Sequence, residues 1–205
     1  MSAAGARPQS RARRWALWLL LGLACAALIS VGLGWWALRA SLPLLDGRLA
    51  LPGVTTAGVR IERDATGVVT IRARSVDDMA FGLGIAHAQD RYFQMDLSRR
   101  LAAGELSELF GELALPQDRR ARAFGFRRVA RAALADATPE HRQALAAYTR
   151  GVNVGLAQLG ARPWEYWVLR SKPLPWREED TILVAHAMWW NLQYGDIERD
   201  RIVRR

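Results

Sequence analysis

The chain has 205 residues, 51% of them hydrophobic and nine of them Trp, a composition that excludes a disordered polyelectrolyte. Lys and Arg outnumber Asp and Glu by 29 to 20. The surplus collects at the two ends (Arg7, Arg11, Arg13 and Arg14; Arg201, Arg204 and Arg205) and elsewhere Arg alternates with acids, which argues against nucleic acid as a partner.

From Trp15 to Leu38 the chain runs for 24 residues without a charge. At about 1.5 Å per residue a helix of that length crosses a hydrocarbon core of about 30 Å. Trp35 and Trp36 close the run as interfacial anchors do, and the four Arg before it place residues 1–14 in the cytoplasm by the positive-inside rule. The expectation is a single-pass anchor over 15–38 in an inner membrane, with the main domain in the periplasm. A cleaved secretory signal is the competing reading, although its apolar region is typically only about 7–15 residues. Cys25, the sole cysteine, lies within the run and can form no intrachain disulfide.

Residues 39–53, with Pro43, Gly47 and Pro52, have the composition of a linker, leaving 54–205 as the main region. There the period becomes two: Val59 and Ile61 alternate with polar neighbours, as do Val69, Ile71 and Ala73, and Asp64-Ala65-Thr66-Gly67 between them predicts a hairpin turn. Ser75 with Asp78 three residues on has capping spacing and predicts a helix to Ala103, stopped by Gly104. Further helices are expected over Ala121–Asp136 and over Pro139–Leu159, the latter capped by Thr138. Arg162–Trp176 breaks the pattern with three Pro, and a last helix starts near Glu178 with no stop signal before Arg205.

The stretch Asp77–Gly111 combines Gly82, Gly84, Ala86, Ala88, Gln89-Asp90-Arg91, Gln94-Met95-Asp96, Arg99-Arg100 and Gly104-Glu105-Leu106-Ser107-Glu108. In this it resembles the N-terminal part of the penicillin amidase family, and the resemblance extends over Asp46–Arg201. It implies an α+β fold, the mostly helical α-chain portion of an αββα N-terminal nucleophile hydrolase. In that family a precursor cuts itself into α and β chains, and the new β-chain N-terminal Ser is the nucleophile. The α-amino group of that Ser, with a pKa near about 8, can serve as its base. No Gly-Ser, Gly-Cys or Gly-Thr pair occurs here. The chain is therefore expected to be the α portion alone, without a catalytic residue, partnered by the β portion and by a small N-acyl substrate. A truncated, non-catalytic, membrane-bound helical protein is the alternative.

Asp90, Asp96 and Glu105 beside Arg91, Arg99 and Arg100 have the spacing of ion pairs within a helix rather than of acid/base machinery. His87, His141 and His186 show no metal-ligand spacing, and His87 is expected to be a hydrogen-bonded core residue. The resemblance marks the segment Met188–Tyr194 as the substrate side: Met188 matches a family Met that touches the acyl group, Leu192 stands where an aromatic residue would be, and Asn191 lies between them. Leu at that position suits an aliphatic acyl chain. Glu198 aligns with a carboxylate that binds a calcium ion shared with the β chain. From the residues themselves, a Met and Trp stripe at helical spacing also fits plain core, and Glu198 beside Arg199 also fits a surface ion pair.

Overall fold

The computed structural model describes residues 9–50 and 58–203, with the side chains of 13–50, 58–193, 199 and 203 placed. Two units are distinct, Met1–Ala40 and Ser41–Arg205. In the first, helix α1 spans Gln9–Ala40. Its stretch Arg13–Ala40 is long and apolar enough to cross a membrane, the most apolar 18 residues within it having a mean hydropathy of 2.4. The helix continues past both edges of the uncharged run, because nothing in the flanking Arg-rich sequence breaks helical geometry.

The second unit begins with the hairpin. Strands β1 (Arg60–Arg63) and β2 (Val69–Arg72) pair antiparallel with Ile61 opposite Ile71. Asp64 holds the turn: one carboxylate oxygen accepts from Thr66 N–H at 2.9 Å, Thr66 Oγ1 at 2.7 Å and Val68 N–H at 2.9 Å. Those bonds, led by the one from the Thr66 hydroxyl, hold its pKa below the ordinary carboxylate value. The hairpin lies on the first turns of helix α2 (Val76–Ala103), where a Cβ on Gly82 would come within 2.6 Å of Val59 Cγ1.

Helix α2 is capped as expected. Ser75 Oγ accepts from Asp78 N–H at 3.1 Å, and Gly104 ends the helix in the left-handed conformation at φ 70°. The structure adds a break at Arg91 (φ −153°, ψ 32°), which neither Gly nor Pro announces. After it, α3 (Ser107–Phe110) and one 3-10 turn lead into α4 (Leu115–Phe124) and α5 (Phe126–Ala135). The single helix expected over Ala121–Asp136 is therefore two, because Gly125 at φ 63° terminates α4 and starts α5 in a new direction. Helix α6 (Pro139–Ala157) is capped by Thr138, whose hydroxyl accepts from His141 N–H at 3.4 Å. The Pro-broken stretch contains a short helix that its composition concealed, α7 (Trp164–Val168), which drives Tyr166 into the core. Helix α8 (Glu178–Val203) follows.

α2 is the axis of this unit. It packs face to face on α6 through glycines: a Cβ on Gly155 would lie 2.8 Å from Ile85 O, and one on Gly84 would lie 2.7 Å from Val152 N. One core cluster joins Ala88, Tyr92, Met95, Val152, Tyr166 and Trp176, and a second joins Ala102, Phe126, Ala130, Leu183 and Ala187. Helix with a small sheet is the α+β class expected, weighted towards helix.

Candidate functional site

What positions α8 is a buried network of charges. Asp96 is fully buried and accepts from Tyr166 Oη at 2.6 Å, Arg99 Nε at 2.7 Å and Arg100 Nε at 3.0 Å. The expected pairs within the helix thus form, but inside the core rather than on a wet face. Arg99 spends its remaining donors on Asp180 Oδ2 at 2.6 Å and on the carbonyls of Leu174 and Pro175, both at 2.9 Å. Burial opposes the charge on Arg99, yet Asp96 and Asp180 outweigh it and raise its pKa above the ordinary value.

Asp180 lies in the first turn of α8 and is 1% exposed. It also accepts from Arg127 Nη1 at 3.2 Å and from the backbone N–H of Arg177 at 2.9 Å. Arg127 is held in turn by both oxygens of Glu105, at 2.9 and 2.7 Å. From α6, Asn153 bonds both backbone groups of Trp176, and the Trp176 indole N–H donates to Thr181 at 3.1 Å. The start of α8 is thereby fixed to α2, α5 and α6 by bonds that each leave no charge buried alone.

Beyond this clamp α8 becomes two-faced. Leu183 and Ala187 are buried, and Trp190 packs edge-on to Phe124 with centroids 4.2 Å apart. Met188, Asn191 and Leu192 stand on the outer face at i, i+3 and i+4, so the structure brings the three expected residues together. Met188 is 62% and Leu192 70% exposed. The patch offers a thioether, an isobutyl group and one amide. Trp189 borders it, half exposed.

Glu198 lies outside the residues whose side chains are described. Among the described residues no group of three or more His, Cys, Asp and Glu could hold a metal ion. His87 is the half-buried, hydrogen-bonded residue expected: its Nδ1 lies 2.9 Å from Tyr148 Oη, and burial first and the charge of Arg91 second pull its pKa down. Burial also pushes the Tyr148 hydroxyl up to about 12. His186, stacked on Phe126 at 5.0 Å, is likewise pulled down by burial. The carboxylates considered for acid/base work are engaged structurally, Asp90 with Arg63 at 2.9 Å and Glu105 with Arg127. Asp180, Arg127 and Tyr166 were not singled out from the sequence. The run Trp176-Arg177-Glu178-Glu179-Asp180 ahead of a helix was the available signal.

A mostly helical unit of this kind with a small hairpin is shared with a solved penicillin acylase. The solved thermostable penicillin G acylase from Alcaligenes faecalis superposes with a TM-score of 0.60 at 26% identity, covering 68% of this chain and 75% of that one. The chain belongs to the penicillin amidase family, whose profile, described as Penicillin amidase, matches residues 58–205. It is 40% identical over 152 residues to penicillin acylase 2 proenzyme of Pseudomonas sp. strain SE83, covering 74% of this chain and 20% of that protein. It is 39% identical over 138 residues to the acyl-homoserine lactone acylase QuiP of Pseudomonas putida, covering 62% of this chain and 17% of that protein. The chain thus spans about a fifth of the length of these relatives.

Proposed function

We propose that this chain is the α portion of a membrane-tethered acylase that hydrolyses a linear amide in an N-acyl compound. The N-terminal Ser of a β portion from the same precursor would attack the acyl carbon, with its own α-amino group taking the proton and passing it to the departing amine. Water then releases the acid. The observation that carries the proposal is the α8 face: in a chain of this family, Met188, Asn191 and Leu192 stand together, exposed, on a helix whose start is locked by buried charges. Penicillins and acyl-homoserine lactones, named for the relatives, are both N-acyl compounds, and the aliphatic side chain of Leu192 suits an aliphatic acyl chain. Calcium enters only through Glu198. One carboxylate supplies at most two of the roughly six to eight oxygens the ion takes, so the β portion would bring the rest.

The test is hydrolysis by the full-length protein, with Leu192→Phe as the probe of the site. Overfilling a packed pocket costs about 1–3 kcal/mol, so activity on a long aliphatic substrate is expected to fall roughly 5- to 150-fold. A short-chain substrate should lose much less. Equal losses on both would remove Leu192 from the acyl site, and absence of any N-acyl hydrolysis by the wild-type protein would remove the acylase reading itself.

The tether is proposed as an uncleaved anchor with residues 1–14 in the cytoplasm. A reporter enzyme that works only outside the cytoplasm, fused after Arg48, should be active and should sediment with membranes. Activity found instead in the soluble fraction would indicate a cleaved signal, and an inactive fusion would reverse the orientation.

A further inference from the structure

Along α4 and α5 the mixing of Arg with acids breaks down. From Leu115 to Ala135 there are six Arg and a single acid, Asp118. Asp118 carries no charge to the surface: it is 1% exposed, and its two oxygens accept the backbone N–H groups of Leu106 and Ser107 at 2.9 and 2.8 Å. Arg127 turns to Glu105 of the clamp and Arg131 to Glu179 in the first turn of α8, while Arg119 and Arg120 stay exposed on α4. That helix buries Asp118 and Ala121, so its outer face is Leu115, Pro116, Arg119, Arg120 and Ala123. Immediately before it, Phe110 is 40% and Leu113 92% exposed. Glu112 is exposed at the same corner and is outnumbered by the two Arg.

We propose that the corner from Phe110 to Arg120 docks on an anionic lipid surface. Leu113, backed by Phe110 and Leu115, enters the headgroup region, and the Arg119 and Arg120 guanidinium groups pair with lipid phosphates. Large exposed apolar side chains rimmed by cations are the pattern of interfacial binding. Arg offers phosphate a planar, two-pronged partner that Lys does not. Nucleic acid would use the two Arg but has no role for a Leu that is almost wholly exposed. The same chain carries a helix apolar enough to enter a bilayer, which brings a lipid surface within its reach. This inference rests on the tether proposed above and not on the acylase chemistry.

The experiment uses the full chain with Cys25→Ser and Leu113→Cys, the new cysteine carrying an environment-sensitive fluorophore, reconstituted into phosphatidylcholine vesicles with or without phosphatidylglycerol. Flotation reports entry of α1 into either vesicle. With anionic lipid the probe emission should shift to the blue and be quenched by spin-labelled lipid, and a probe at Glu140 should show neither. Each Arg near an anionic surface contributes roughly fivefold, so Arg119→Gln with Arg120→Gln should lower the docked-to-undocked ratio about 30-fold, and salt should do likewise. Floating vesicles with an unquenched probe overturn the proposal. So does quenching that ignores lipid charge and both Arg substitutions, and so does a probe already shielded before lipid is added, which would assign the corner to a protein surface.

Discussion

Asp96→Ala is expected to destabilise the helical unit by about 3–5 kcal/mol, the usual cost of stripping one partner from a buried ion pair. The wild-type carboxylate is fully buried and serves three donors: two guanidinium groups and the Tyr166 hydroxyl. With it gone, Arg100 keeps Glu108, which is 56% exposed, and Arg99 keeps Asp180. The Tyr166 hydroxyl, whose pKa burial and Asp96 already hold above the ordinary value, loses the acceptor it donates to. Asp96→Asn is the discriminating companion, because an amide oxygen of the same shape still accepts and only the charge is lost. It should cost less than the Ala variant but remain clearly destabilised. Denaturant unfolding of the full chain in detergent, followed by far-ultraviolet circular dichroism, reads both, since losing the network loosens the start of α8 from α2 and α5. Glu62→Ala, on the exposed face of the hairpin, is the control and should leave the transition where it is. Equal midpoints for Asp96→Ala and wild type would mean that the network forms without stabilising the fold.

How far this architecture was legible in the sequence depends on the distance over which each feature is decided. Ser75, Gly104 and Thr138 act within one helical turn, and the caps they announce are present. The hairpin is also local, its register set by Asp64 and Gly67 and by the pairing of Ile61 with Ile71. Gly125 was visible as a residue but sits in an otherwise helical run, where a left-handed φ is one option among several; the packing of Phe126 into the α8 interface decides it. Helix α7 was hidden because Pro163 and Pro173 obscure any period, and its reason for existing is distant: Tyr166 donates to Asp96, 70 residues earlier. The clamp was hidden for the same reason. Arg99 and Asp180 are 81 residues apart, and no spacing rule joins them. For the candidate site, the stripe from Met188 to Leu192 was legible as a stripe, but which side faces out is settled by Leu183 and Ala187, which the second core cluster claims. Charge patterning misled in one place, since the even mixture of Arg and acids held on average but not along α4 and α5.

The largest effect expected from the smallest change is Gly151→Ala. Within a helix Gly costs about 1 kcal/mol relative to Ala, so the substitution would stabilise α6 if nothing lay opposite. What lies opposite is backbone: an added Cβ would overlap the carbonyl of Phe81 and would stand 3.1 Å from Phe81 Cα. No rotamer change removes a main-chain carbonyl, so α2 and α6 must separate, thinning the cluster of Ala88, Tyr92 and Val152 behind them. Overpacking of a tight core costs about 1–3 kcal/mol, and a backbone obstacle belongs at or above the top of that range. Gly155→Ala differs in kind, because its Cβ would meet the Ala88 methyl at 2.9 Å as well as Ile85 O at 2.8 Å. Adding Ala88→Gly should therefore recover part of the stability lost by Gly155→Ala and none of that lost by Gly151→Ala. Gly22→Ala, where nothing lies within 4 Å, serves as the neutral reference. Thermal unfolding of the five variants orders them. If Ala88→Gly rescued Gly151→Ala, the obstacle would be side-chain volume rather than the close approach of two backbones, and glycine would not be what sets the distance between α2 and α6.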